Sequence, residues 1–170
     1  MEKHPDFYVF DALFELLPDG TLLNKVKRSR NTVVGAVSGS LSYYGYVVLC
    51  VGMKKHMAHR VVWLLSTGQW PTDDIDHING VTTDNRIENL RDVPRLTNMQ
   101  NQRRLSKANK TGFRGVWAHK NGRFKAFART PGENRTKHLG YFTTPQEAFA
   151  VAEAYRKQHY EGYAPHGELQ

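Results

Sequence analysis

"DHINGVTTDNRIENLRDVPRLTNMQN", residues 76–101, is the stretch on which the fold turns. It opens on a carboxylate and an imidazole side by side, Asp76-His77, passes an Asn-Gly turn and an Asp-Asn pair, and then carries Asn89 and Asn98. These are the residue types that phosphodiester hydrolysis needs. That reaction requires a base for the attacking water, a Lewis acid on the phosphate and help for the departing oxygen. The carboxylate of Asp76 and the amide carbonyl of Asn98 are hard oxygen donors, suited to Mg²⁺ or Mn²⁺. Such ions keep few protein ligands and fill the other positions with water and substrate. A histidine ordinarily titrates near ~6.5, so an imidazole such as His77 is available as a neutral base at pH 7. On an extended strand His77 alternates with Asp76, unless local twist re-aims one of them. Asn89, from a returning strand, can fix the tautomer of the ring by bonding its other nitrogen.

Taken one at a time, Asn and Asp residues of this kind are ordinary turn and cap formers. Their joint spacing, the glycine turn and the Asn89-Leu90 step make residues 59–104 resemble an HNH (ββα-metal) domain of the phage and intron homing-endonuclease type. Asn98 stands where many members have His, as in an Asp-His-Asn-Asn subgroup. The resemblance implies Asp76 and Asn98 on one divalent ion, Mg²⁺ or Mn²⁺, His77 as general base and Asn89 as its orienter. Asp84-Asn85 reads as shaping the loop between two strands. Asn101, one turn beyond Asn98, reads as supporting the ligand or touching phosphate, and His59-Arg60 reads as structural.

Around this core, "HRVVWLLSTG" predicts a short buried helix stopped by Gly68, and Trp70-Pro71 turns the chain into the strand that carries His77. The section before it, about Phe7 to Ala58, reads as β-rich. "LFELLPDGTLL" has a Pro-Asp-Gly turn between apolar runs, and "GYVVLCVGMKKHMAH" has a glycine turn after a β-branched run. Cys50 is the only cysteine, so no internal disulfide and no cysteine-pair zinc knuckle is expected. Its place inside the apolar run Val47–Val51 predicts a buried, inert thiol.

Charge divides the chain unevenly. Residues 86–137 hold 14 Lys/Arg against 3 Asp/Glu, an excess of 11 in a chain of net charge +8, so the remainder is net −3. A one-sided block of this kind, interleaved with Phe113, Trp117, Phe124 and Phe127, is the footprint of a nucleic-acid partner. "RRLSKANKTG", beginning at Arg103 and Arg104, reads as a basic linker able to lie along phosphates. Beyond it, turns at Asn121-Gly122 and Pro131-Gly132 predict three short strands. A helix then starts with Thr144 as N-cap, Pro145 at its first position and Glu147 completing a capping box. Ala148, Val151, Ala152 and Tyr155 form its apolar stripe.

Arg114-Gly115-Val116, "GRFKAF", Leu139-Gly140-Tyr141-Phe142 and the alanine-rich helix make residues 112–160 resemble the plant ethylene-response-factor (APETALA2-like) DNA-binding domain. The resemblance implies a sheet laid on duplex DNA. Candidate contacts are then Arg114, Trp117, His119, Arg123, Lys125, Arg129, Arg135 and Lys137, with Arg103 and Arg104 from the linker. Trp117 and His119 stand where plant members often have arginines, so that family's base preference does not carry over. Of Phe124 and Phe127, strand alternation sends one to the core.

The expected fold is α+β: a β-rich segment, an HNH ββα-metal core, and a three-stranded antiparallel sheet packed on one helix. The expected domains are 1–104, a linker at 105–111, and 112–170. A 39% apolar, 24% charged composition fits a globular protein, and no apolar run approaches the ~18 residues of a membrane span. The amino terminus lacks a signal-peptide pattern. A cytoplasmic monomer acting on double-stranded DNA, away from membranes, is therefore expected. The function implied is a metal-dependent DNA endonuclease that nicks one strand. The alternatives are a sequence-specific DNA-binding regulator with a vestigial nuclease centre, or a structure- or damage-directed nuclease.

Overall fold

The computed structural model describes residues 2–101, 105, 108–131, 133, 135–160 and 163. The chain divides into two compact units, Met1–Pro94 and Arg95–Gln170. Asp76 lies in the first unit and Asn98 in the second.

The first unit begins with helix α1 (Pro5–Leu13), where the sequence reads as β-rich. His4 caps it, its Nδ1 accepting from the Asp6 amide at 3.1 Å, and Pro5 occupies the first turn. Phe7 and Phe10 on this helix are buried together with Phe14. Aromatic burial against the next helix outweighs the weak helical pattern of so short a segment. The Pro-Asp-Gly turn then joins β1 (Phe14–Leu16) to β2 (Leu22–Asn24) as an antiparallel hairpin. Strands β3 (Ser40–Leu41), β4 (Val47–Val51) and β5 (Lys54–Met57) form an antiparallel sheet in the order β3-β4-β5. Alternation along β4 buries Leu49 and exposes Cys50, so the thiol expected to be buried is at the surface.

Helix α2 (Ala58–Thr67) buries Ala58, His59, Val61, Val62 and Leu64 and stops at Gly68, whose left-handed φ of 81° closes a bond from its amide to Leu64 at 2.8 Å. It leads into the antiparallel pair β6 (Asp74–His77) and β7 (Leu90–Val93), in register Asp76↔Arg91 and His77↔Leu90. Val61, Val62, Leu64, Ile75 and Leu90 share one core with the three phenylalanines.

The second unit contains α3 (Arg95–Asn101), then β8 (Val116–Ala118), β9 (Phe124–Arg129) and β10 (Thr136–Phe142) in an antiparallel sheet of order β10-β9-β8. Helix α4 (Pro145–His159) follows, with the Thr144–Glu147 capping box formed in both directions. Val116, Ala126 and Ala148 make the core between sheet and helix, with Phe124 packed against it.

The buried face of α4 differs from the expected stripe. Ala148, Ala152 and Arg156 lie inside with Glu153, while Val151 is 36% exposed. An ion pair accounts for the rotation. The Arg156 guanidinium donates to Glu153 at 3.0 Å and to the Arg114 carbonyl at 3.0 Å, and the Tyr163 hydroxyl donates to Glu153 at 2.6 Å. Gly115 is what admits this arginine: its φ is +76°, and a Cβ there would collide with the Arg156 guanidinium and the Phe127 carbonyl.

Among the described residues no helix is long and apolar enough to cross a membrane.

Candidate functional site

Strand period sets the first feature of the β6–β7 hairpin. Ile75 and His77 are buried, while Asp74 and Asp76 are half-exposed on the other side. His77 thus sits on the core face, only 5% exposed, with its backbone carbonyl accepting from Gly80 at 2.8 Å. Its Nε2 is 3.1 Å from Oδ1 of Asn85, itself buried. An amide oxygen can only accept, so Nε2 carries the hydrogen, and in the neutral ring Nδ1 keeps the lone pair.

The bond to the ring was expected from Asn89, and the structure corrects this. Both groups of the Asn89 amide are spent on the loop between the strands. Its Oδ1 accepts from the Asn79 backbone amide at 3.0 Å, and its Nδ2 donates to Asn79 Oδ1 at 3.0 Å and to the Asp84 carbonyl at 2.8 Å. Asn79 adds a bond to the Asp84 carboxylate at 2.7 Å and accepts from Val81 at 2.8 Å. Arg86 grips Asp84 through two bonds, at 2.9 and 2.8 Å, which hold that carboxyl well below the usual carboxylate range. The loop is closed on itself, and Asn85 projects from it onto His77.

Neighbouring elements fix the loop from outside. Gly20, in the β1–β2 turn at φ +80°, lies so close that a Cβ would collide with the Asn85 carbonyl. Thr82 donates to the Gly45 carbonyl at 2.7 Å. Against the imidazole lie two more rings: His59 of α2, edge-on at 5.2 Å between centroids, and Tyr46 at 6.1 Å. His59 is buried, and burial first, then the neighbouring His77 and Arg60, push its pKa down to about 4. It is therefore neutral at pH 7. Arg60 donates to the Asp73 and Pro71 carbonyls at 2.9 and 3.3 Å, a structural role that pins the entry to β6.

Asp76 is held from across the hairpin. Nε and Nη2 of Arg91 donate to its Oδ2 at 2.9 and 2.6 Å, as the Asp76↔Arg91 register dictates. One carboxylate oxygen is oriented by the arginine, and the other, Oδ1, accepts no bond from the described residues. Asn98 is half-buried on α3 of the second unit. No group of three or more His, Cys, Asp or Glu side chains among the described residues forms a cage for a metal. The Asp76 carboxylate is a hard oxygen donor of the kind that fits Mg²⁺ or Mn²⁺, ions that leave most of their coordination to water and substrate.

In the second unit, the sheet face away from α4 carries Trp117, Lys125, Phe127, Thr136 and His138, which line an open concavity of about 400 Å³. Trp117 is 44% exposed and its ring lies 6.2 Å from that of Phe127. Tyr141 shares this face, with His119 and His138 at 5.1 and 4.7 Å from its ring. Of the two phenylalanines in β9, Phe124 goes to the core and Phe127 to the open face. By strand period Arg129 follows Lys125 and Phe127 there, and exposed Arg123 enters the strand on the same side. Arg135 is exposed at the β9–β10 turn.

Two of the residues named as candidate contacts do not lie on this face. The Lys137 ammonium is 5.1 Å over the Tyr155 ring, on the helix side. Arg114 is half-buried near Arg156, Glu153, Tyr160 and Tyr163, and burial lowers its pKa. Arg103 and Arg104 lie outside the described residues, as does the side chain of Asn101.

Residues 56–100 match the family model described as HNH endonuclease. No curated protein and no solved structure matches the chain. The matched segment runs from β5 through both strands of the hairpin to α3 and contains Asp76, His77, Asn85, Asn89 and Asn98. It supports a nuclease, with DNA as the substrate that an HNH domain implies and a divalent ion as the cofactor that HNH nucleases generally use.

Proposed function

We propose that the chain is a metal-dependent DNA endonuclease of the phage HNH homing type that nicks one strand of double-stranded DNA. The observation that carries this reading is the buried His77, its Nε2 tied to Asn85 Oδ1, next in sequence to a carboxylate oriented by Arg91. In this reading His77 takes the proton of the attacking water at Nδ1, and Asn85 steadies the imidazolium that results. Asp76 and Asn98 would hold one Mg²⁺ or Mn²⁺, which when bound supplies Lewis-acid stabilisation of the charge that develops on the phosphate. Asn89 acts one step back, by keeping the loop that carries Asn85 in shape. The sheet of the second unit reads the DNA as an APETALA2-like module through Trp117, His119, Arg123, Lys125 and Arg129, with Arg135 at the turn. One Asp-His-Asn-Asn set per chain, acting as a monomer in the cytoplasm, cuts one phosphodiester at a time.

A second reading, a sequence-specific DNA-binding regulator with a vestigial centre, is favoured by one observation: Arg91 spends two bonds on the carboxylate that a cation would need. One experiment separates them. Purified protein is incubated with supercoiled plasmid bearing candidate phage DNA and Mg²⁺ or Mn²⁺, and the ends produced are sequenced. Accumulation of open circles nicked at one position is the expected result. Linear product without an open-circular intermediate rejects nicking by a monomer, and binding without cutting in either metal selects the regulator.

A further inference from the structure

Turn chemistry favours Gly, Pro, Asn, Asp and Ser at the corners of a hairpin, because these residues fit the bend and leave nothing apolar in water. The β3–β4 hairpin breaks that rule. Ser42-Tyr43-Tyr44-Gly45 is a tight turn closed by the Gly45 amide on the Ser42 carbonyl at 2.9 Å, with a second backbone bond from Ser42 to Tyr46 at 2.8 Å. Its two corner residues are tyrosines, 97% and 76% exposed, their rings edge-on at 5.5 Å. Two large aromatic surfaces are thus fixed in water on a rigid tip.

The tip is indexed to the candidate centre by two independent ties. Thr82, in the loop that carries Asn85, donates to the carbonyl of Gly45. The next residue, Tyr46, places its ring against both His59 and His77, at 5.5 and 6.1 Å. A pair of exposed aromatics on a turn whose next residue packs on the candidate base fits the stacked bases beside the phosphate that is cut. Apolar wedges of this kind enter duplex DNA between base steps from the minor groove and unstack them.

We propose that Tyr43 and Tyr44 form a wedge that inserts into the minor groove next to the scissile phosphate and opens one base step, setting that phosphate at His77. This rests on the nuclease reading above. The wedge acts by positioning, and the phenol hydroxyls are not required.

The test uses the full chain and a duplex with 2-aminopurine at each step flanking the mapped cut, first with EDTA to follow binding and then with Mg²⁺ to follow cutting. Wild-type protein is expected to raise the fluorescence at one step. The Y43A/Y44A double variant should lose that rise and cut roughly tenfold to a hundredfold more slowly, the scale of one lost aromatic–base stack. Its melting temperature should stay at the wild-type value, because both side chains are exposed. The Y43F/Y44F variant should keep both the rise and the rate. Failure of wild-type protein to cut any DNA would remove the nuclease reading and the wedge with it. Wild-type cutting matched by Y43A/Y44A, or cutting with no fluorescence rise at any flanking step, would overturn the wedge alone and leave the tyrosines to a protein partner.

Discussion

The loop between β6 and β7 and the open face of the β8–β10 sheet are built on opposite principles. In the loop, the side-chain amides of Asn79 and Asn89 are bonded to each other, to backbone or to the Asp84 carboxylate, Arg86 closes on Asp84, and Gly20 presses on Asn85 from outside. On the sheet face, Trp117, Lys125 and His138 line an open concavity. A centre that moves protons gains from groups fixed before substrate arrives, since their reorganisation would otherwise add to the barrier. A surface that recognises a polyanion gains from groups still turned to solvent. Interior hydrogen bonding marks the one, and unspent exposure marks the other.

Breaking the first region at its centre gives the largest expected effect. His77→Ala should reduce single-turnover cleavage by about 10²–10⁴, the usual worth of a general base, with affinity for the same duplex in EDTA near wild type. Asp76→Ala should abolish cutting under the same conditions. Full activity of His77→Ala, without an added rescuing base, would remove His77 from the chemistry and leave the closed loop as architecture only.

The next effect is on folding, through the ring packed behind His77. His59 is neutral in the folded protein, with a pKa of about 4 against an ordinary 6.5. The unfolded chain therefore binds its proton first as pH falls. Stability is complete above about pH 6.5, drains away between there and about pH 4, and levels off below, for a total of roughly 3 kcal/mol. Urea unfolding at pH 7 and at pH 4.5 checks this: wild type should lose more stability between the two than His59→Phe, which has nothing to titrate at that position. Equal losses would mean that His59 is not the group that makes this hairpin acid-sensitive.

How much of this was legible in the sequence differs between the regions for a physical reason. Local chemistry is written locally, so Gly68 ending α2, the Pro-Asp-Gly hairpin and the Thr144 capping box appear as read. Asp76 and His77 on a strand that returns as Leu90–Val93 were also readable, from spacing and turn residues. Which asparagine reaches the imidazole was not. Asn85 and Asn89 are the same residue type in one loop, and the choice depends on loop closure by Asn79 and on pressure from Gly20, far away in sequence. Arg91 opposite Asp76 depends on register, a pairing property that a single strand does not carry. Lys137 falls between Thr136 and His138, which both line the concavity, so strand alternation turns its ammonium toward Tyr155, a choice of face that the charge block in the sequence does not carry. Helix α1 was missed because nine residues carry too weak a period to outvote their aromatic and β-branched content.

Asn85 and Asn89 can be told apart by what each loss costs. Asn85→Ala leaves the Nε2 hydrogen without its acceptor and the ring free to change tautomer, and should lower the rate about 10–100-fold with modest loss of stability. Asn85→Asp keeps an acceptor at the same position and should restore most of the rate. Asn89→Ala strips three bonds from the loop and should instead cost about 1–3 kcal/mol of stability. Measuring melting temperature and single-turnover rate on the same preparations decides the matter. A rate loss in Asn89→Ala that exceeds the Asn85→Ala loss, at unchanged melting temperature, would return the orienting role to Asn89.

The smallest effect tests the second region, and it depends on the two faces of one sheet. Lys125 lines the open concavity, whereas the Lys137 ammonium lies over Tyr155 on the helix side. If the open face meets the DNA backbone, Lys125→Ala removes one phosphate contact and lowers the slope of log affinity against log salt by about 0.9. Lys137→Ala removes the same charge from the chain but not from the interface, so its slope should match wild type. Net charge alone would weaken both variants alike, and the pair therefore separates a docked face from general attraction to a basic protein. Equal slope changes in the two variants would show that the concavity around Trp117 is not where duplex DNA sits, whatever its aromatic lining.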